Sequence, residues 1–93
     1  MIEEGKEYYM SWSDMGGTRA GLYKVLVDKR LNPPNDKFYS VEIIEFYYHF
    51  DSDFYRSVTA ARSDLFETFK KALESFKKET KMNEQDIIAR IFL

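Results

Sequence analysis

The sequence has no cysteine, only two prolines and four glycines, and a single histidine among its 93 residues. Without cysteine there is no disulfide, no thiolate zinc site and no cysteine nucleophile. His49 has no nucleophile-elbow motif near it, and the neighbouring Asp51 and Asp53 lack the rest of a calcium loop. We therefore predict a protein that is not an enzyme, holds no metal and uses no cofactor or small-molecule substrate.

An excess of one charge and long apolar runs are also lacking. The formal net charge is −2, so the chain as a whole does not attract polyphosphate, and nucleic-acid binding would depend on a local basic patch. The acidic N-terminal stretch MIEEGKEYYM resembles neither a secretory signal nor a membrane span. We expect a soluble, cytoplasmic protein without a membrane partner.

The length of the chain predicts a single domain over residues 1–93. A domain of this size buries only roughly 60 to 65% of the surface that its unfolded chain exposes. Because a second copy sharing the core would add buried surface, we expect a homodimer.

Strand patterns fill the first two thirds of the chain. Tyr23, Val25 and Val27 alternate with Lys24 and Asp28, as in a half-buried strand. Glycine-rich, proline-rich and aspartate-rich segments separate such patterns, because these residues favour turns. The predicted strands cover residues 7–13, 21–30, 37–50 and 54–61.

The pattern becomes helical at Ser63. Apolar residues recur at helical spacing from Leu65 to Phe76, and charged residues fill the opposite face. Asp64 with Glu67, or Ser63 alone, supplies a candidate N-terminal cap. The spacing predicts a long amphipathic helix over residues 64–80.

A second, shorter apolar stripe follows near the C-terminus. Asn83, with Asp86 three residues later, predicts the cap of a short helix over residues 84–92. Because strands come first and helices last, the predicted fold class is α+β. The expected architecture is an antiparallel four-stranded β-meander, then the long amphipathic helix, then the short C-terminal helix.

The alternation also assigns residues to the two faces of the predicted sheet. If Tyr23, Val25 and Val27 face the helix, Lys24 and Phe38 face outward. On an open face of this kind, bases stack on aromatic rings while nearby cations bind phosphates. The residues predicted to bind single-stranded nucleic acid are Lys24, Arg30, Lys37, Phe38, Tyr55 and Arg56.

The third strand and the C-terminal tail hold apolar residues that a monomer does not readily bury. In FYYHF, residues 46–50, the alternation fails, which indicates a bulge, a strand that extends past the sheet, or a subunit contact. The tail either folds onto its own sheet or meets a second subunit. The predicted dimer interface comprises Phe46, Tyr48, Ile87, Ile88, Ile91 and Phe92.

Three stretches resemble the repeat of the purine-rich-element-binding (PUR) proteins: LYKVLVDKR, KFYSVEIIEFYY and RSVTAARSDLFETFKKALESF. The aromatic and apolar alternation of the first, the aromatic pair and IIE step of the second, and the helical Phe and Leu spacing of the third carry the likeness. PUR repeats share a β-β-β-β-α layout with Whirly-type single-strand binders. The resemblance implies an intertwined dimer that binds single-stranded DNA or RNA across its open sheet face.

Two functions from different classes are therefore expected. The first is a PUR- or Whirly-like, non-enzymatic domain that binds single-stranded DNA or RNA. The alternative is a phage- or mobile-element-type inhibitor, similar in kind to anti-CRISPR proteins, that blocks a host nucleic-acid enzyme by protein-protein contact. Small size, acidity and the lack of catalytic residues suit this alternative.

Overall fold

A computed structural model describes residues 2–14, 20–31, 37–49 and 56–91, with backbone alone for residues 49 and 88–91. These residues form five strands, a 3₁₀ turn and two helices. The strands are β1 (Glu7–Ser13), β2 (Ala20–Leu31), β3 (Phe38–His49), β4 (Ser57–Ala61) and β5 (Leu65–Phe66). The 3₁₀ turn is Arg62–Asp64, and the helices are α1 (Phe69–Thr80) and α2 (Glu84–Ile91).

The predicted fold class is wrong in its sheet and in its first helix. The sheet has five antiparallel strands in the order β4-β3-β2-β1-β5 instead of four. Residues predicted to begin the long helix form the 3₁₀ turn and β5, and α1 begins only at Phe69. Leu65 and Phe66 pair with Met10 and Tyr9 of β1, and this tertiary pairing overrides their helical spacing.

The connection between β4 and β5 bends the whole sheet. These strands lie at opposite edges, which would be roughly 19 Å apart in a flat five-stranded sheet. The four Cα steps from Ala61 to Leu65 reach at most about 14 Å when extended, and a 3₁₀ turn is shorter. The sheet therefore curls until its edges approach each other, and Ala60 and Leu65 pack into the same core.

The inner face of the curled sheet forms the first core. Its buried side chains come from every strand, and Ile2 of the N-terminal segment packs against them. The Gly5 N–H donates to the Val27 carbonyl (2.7 Å), which fixes that segment along β2. The inner-core residues are Tyr8, Met10, Tyr23, Val25, Val27, Tyr39, Val41, Ile43, Ala60 and Leu65.

The helices pack against the outer face of the sheet, opposite to the expected side. Tyr23, Val25 and Val27 were expected under the helix, but the curl of the sheet itself buries them. The second core joins α1 and α2 to outer-face residues of the strands. Its buried members are Ala20, Leu22, Tyr48, Ala72, Leu73, Phe76 and Ile87.

Polar caps set the ends of the helices. The side chain of Thr68 accepts a hydrogen bond from the Lys71 N–H at the start of α1, so the predicted caps Ser63 and Asp64 are wrong. The Asn83 side chain accepts from the Asp86 N–H (2.9 Å), which confirms Asn83 as the predicted cap of the second helix.

Three bulges interrupt the pairing of β2 with β3. Each shift in register leaves one residue without a cross-strand partner: Asp28, Ile44 and Tyr47. The bulge at Tyr47 brings adjacent Tyr47 and Tyr48 to the same outer core, so of the three explanations for the failed alternation at residues 46–50, the bulge is confirmed.

The outer core is expected to carry much of the stability. Phe76 is fully buried, so Phe76→Ala should lower the free energy of unfolding by about 3–5 kcal/mol. The matched change Phe38→Ala, at a ring that is 46% exposed, should cost about 1 kcal/mol or less. Urea denaturation of both variants measures the difference, and equal losses would contradict this assignment of the core.

Candidate nucleic-acid interface

Strand β3 runs through three different environments on the outer face of the sheet. At its C-terminal end, Tyr47 and Tyr48 pack against the helices. In the middle, Glu42 and Glu45 pair with Leu26 and Lys24 of β2. At its N-terminal end, Phe38 lies between Leu31 of β2 and Ala61 of β4. This N-terminal end is where the predicted cations and an exposed aromatic ring meet.

A cavity of about 260 Å³ lies where β3, β4 and the 3₁₀ turn meet. The Arg62 N–H donates to the Lys37 carbonyl (2.8 Å), so the segments before β3 and after β4 are held together. We call this cavity the rim pocket. It is lined by Lys37, Phe38, Ala61, Arg62 and Ser63.

The chemistry of the rim pocket follows from these lining residues. Phe38 offers an aromatic ring, Lys37 and Arg62 offer positive charges, and Ser63 offers a hydroxyl that donates and accepts. Phe38 has the largest exposed fraction, 46%, of the exposed large apolar side chains among the described residues. A stacking surface beside cations and a hydroxyl is suited to a nucleotide.

Two predicted binding residues, Lys37 and Phe38, lie together in this pocket, but Arg30 does not join them. The bulge at Asp28 inverts the alternation in the last part of β2, so that Arg30 pairs with the inner-core residue Tyr39. The Nε of Arg30 is buried without a hydrogen-bond partner among the described residues. Lys29, which was not predicted, takes the outer-face position and is exposed.

Lys24 lies among carboxylates instead of beside the pocket. Its Nζ is 3.2 Å from Glu7 Oε1, and its cross-strand partner on β3 is Glu45. The hydrogen bond and the charge of Glu7 raise the pKa of Lys24 above its usual value. We call Glu7, Lys24, Glu42 and Glu45 the acidic band, and its net negative charge disfavours phosphate.

Aromatic contacts connect the acidic band to α1. Tyr9 stacks with Tyr47, and both rings meet Phe69 edge-on. The hydroxyl of Tyr47 donates to Glu45. Burial, and then this hydrogen bond, raise the pKa of Tyr47 above its usual value. Through these interactions, Tyr47 links Glu45 of the acidic band to the outer core.

The other predicted binding residues lie apart from the pocket or outside the described residues. Arg56 precedes β4, and its carbonyl accepts from the Ile43 N–H (2.7 Å). Five Cα-to-Cα steps of extended chain separate it from Ala61, which corresponds to about 17 Å. Tyr55 lies outside the described residues.

The predicted dimer residues divide in the same way. Phe46 is 37% exposed and meets the ring of Tyr23 edge-on. Tyr48 and Ile87 are buried in the outer core, so they offer no surface to a second chain. The side chains of Ile88 and Ile91, and all of Phe92, lie outside the described residues.

Sequence reasoning missed Arg62, Ser63 and Lys29. Ser63 was considered only as a candidate helix cap and Arg62 was assigned to no element, and their position beside Phe38 depends on the turn that closes the curled sheet. No sequence pattern indicated that Lys29 faces outward, because its face depends on the bulge at Asp28.

Comparison with models of protein families, with curated proteins and with solved structures finds no match to this chain. Among the described residues, no group of three His, Cys, Asp or Glu side chains is placed to hold a metal ion. The longer of the two described helices has twelve residues, which is too short to cross a bilayer. The function is therefore inferred from the geometry of the site.

Asp64, the last residue of the 3₁₀ turn, carries a half-buried carboxyl group. Burial, and then the charge of Glu79, raise the pKa of Asp64 above 3.8. Asp64 thus binds its proton more tightly in the folded chain than in the unfolded chain. Its contribution to stability is complete below pH 3.8 and is lost as the pH rises through the higher pKa of the folded state.

We expect Asp64→Asn to raise the melting temperature at pH 7 relative to the original chain, because the variant never ionises. The difference should shrink as the pH falls from the raised pKa of folded Asp64 to below 3.8, where Asp64 is protonated in both the folded and the unfolded chain. Calorimetric melts across this range measure it. A difference that does not change with pH would contradict the raised pKa.

Proposed function

We propose that the chain binds single-stranded nucleic acid at the rim pocket and that it does so without catalysing a reaction. The observation that carries the proposal is the convergence of Lys37, Phe38, Arg62 and Ser63 on one cavity. Aromatic rings beside cations are a common means of holding single strands, because every base has a face that stacks.

Charge distribution supports this location over the middle of the sheet. The pocket has two cations in its lining. Exposed Lys29 belongs to the Lys29–Ser40 pair, which is the next pair after Leu31–Phe38 on the same face of the sheet. In the acidic band, Lys24 already contacts Glu7. A chain of net charge −2 therefore offers phosphate a local positive site at one end of the sheet.

The affinity should be modest and sensitive to salt. Three cations near one pocket correspond to a slope of about −2 in a plot of log affinity against log salt, at roughly −0.7 per phosphate for single strands. Stacking on one ring adds about 1–3 kcal/mol. Together these contributions predict weak binding that is easiest to measure at low salt.

Lys37→Glu should weaken binding to a labelled single-stranded oligonucleotide about tenfold at low salt, because it replaces a phosphate contact with a repulsive charge. Fluorescence anisotropy over a salt series measures both the affinity and the slope, and the slope should become shallower.

The matched control for this test is Lys70→Glu, which makes the same charge change at an exposed position of α1. It should weaken binding far less than Lys37→Glu. Equal effects of the two variants would show that only overall charge matters, and the proposal would then be wrong. No binding at low salt by the original chain would also overturn it.

A protein partner is the second candidate function. On β3, Ile44 is 41% exposed, and the carboxylates of its chain neighbour Glu45 and of nearby Glu42 lie on the outer face. Exposed apolar side chains flanked by acids suit a basic partner surface. This arrangement favours the inhibitor hypothesis, in which the chain contacts a nucleic-acid enzyme instead of the nucleic acid.

A homodimer and a cytoplasmic location remain predictions. For the dimer, sedimentation equilibrium should give twice the chain mass of 11.1 kDa. Phe46→Ser should shift the mass towards 11.1 kDa, because Phe46 has an exposed side chain, unlike the other predicted interface residues whose side chains are described. Phe38→Ser is the matched control and should leave the dimer intact. A single-chain mass for the original protein would contradict the prediction.

A further inference from the structure

We infer that the rim pocket takes one unstacked base of the strand, which lies against the ring of Phe38 in the space that Ala61 leaves open. This inference rests on the proposed function, because it states which part of a nucleic acid enters the pocket. Phosphates would then lie at the mouth of the pocket, near Lys37 and Arg62.

The position of Ala61 explains why the ring is open to a ligand. Ala61 is the cross-strand partner of Phe38 in the β3–β4 ladder, and directly paired residues point to the same face. A single methyl group covers little of a neighbouring ring. On the other side Phe38 pairs with Leu31, a larger side chain that is half-buried. The open space therefore lies on the Ala61 side.

The size of the cavity limits what can enter. Its volume of about 260 Å³ is slightly below the roughly 300–1,000 Å³ that drug-sized ligands occupy. Such a space suits one planar base and not a stack of several. A base inside a duplex is paired and stacked on both sides, so it must leave the helix before it can enter. The pocket should therefore prefer single strands.

The two cations lie together at one end of the Phe38–Ala61 pair, where they would hold the phosphates next to the inserted base. Lys37 directly precedes Phe38, and Arg62 directly follows Ala61, so each residue of the Phe38–Ala61 pair has a cation next to it in the chain. The hydrogen bond from the Arg62 N–H to the Lys37 carbonyl keeps these segments together. Ser63 adds a hydroxyl for the edge of the base or for a phosphate.

Filling the pocket separates base insertion from phosphate binding. Ala61→Leu places a larger apolar side chain beside Phe38 and changes no charge. We compare a thymidine oligonucleotide with an abasic strand of equal length, which keeps the phosphates but has no bases. The original chain should bind the thymidine strand about tenfold more tightly. Ala61→Leu should bind both strands equally, at the affinity that the original chain has for the abasic strand.

Two further variants keep the test decisive. Ser57→Leu adds the same bulk at an exposed position of β4 outside the pocket, and it should keep the preference for thymidine. Phe38→Ala removes the ring without filling the cavity and should abolish the preference, so it replaces Ala61→Leu if that variant does not fold. Thermal melts establish that each variant is folded before binding is measured.

The outcomes distinguish this inference from the proposed function. Equal binding of both strands by the original chain, with weaker binding by Lys37→Glu, means that the pocket holds phosphate alone. The proposed function then stands and base insertion is wrong. If neither Lys37→Glu nor Ala61→Leu changes the affinity, both proposals are wrong.

Discussion

The three-residue connection between β4 and β5 is the constraint on which the rest of the structure depends. It joins the two edges of a five-stranded sheet, so the sheet has to curl, and the curl encloses Tyr8, Val25, Val27 and Tyr39 without help from a helix. The helices are then free to cover part of the outer face, where a second core forms. A 93-residue chain thereby divides its apolar residues between two cores on opposite sides of one sheet.

The same connection produces the candidate site. Because the 3₁₀ turn begins directly after Ala61 and is tied to Lys37, Arg62 and Ser63 lie beside the exposed ring of Phe38. Helix α1 covers the opposite end of the outer face, against β1 and the start of β2. The acidic band lies between the two ends, and within it Lys24 contacts Glu7. The outer face is therefore electrostatically divided, with its basic end at the rim pocket and its acidic centre around Lys24.

The two candidate functions use different parts of this divided surface. Nucleic acid suits the basic end, where two cations lie near an aromatic ring, and a basic protein suits the acidic centre with exposed Ile44. Both parts of the surface lie on β3, whose bulges at Ile44 and Tyr47 change which residues face outward. An acidic chain can in this way present a positive site to one ligand and a negative one to another, because short-range charge outweighs net charge at contact distances.

The sequence by itself determined the local features: the alternating pattern of β2, the Asn83 cap, the failure of alternation near Tyr47, and Lys37 beside Phe38 as a candidate site. These depend on neighbouring residues, whose side-chain periodicity and hydrogen bonds act within a few positions. Only the tertiary structure decided that Leu65 and Phe66 pair with β1, that Arg30 turns inward while Lys29 turns outward, and that Arg62 and Ser63 complete the pocket. Each of these depends on pairing between strands far apart in the chain, and one extra residue in a strand is enough to reverse the face of every side chain that follows it.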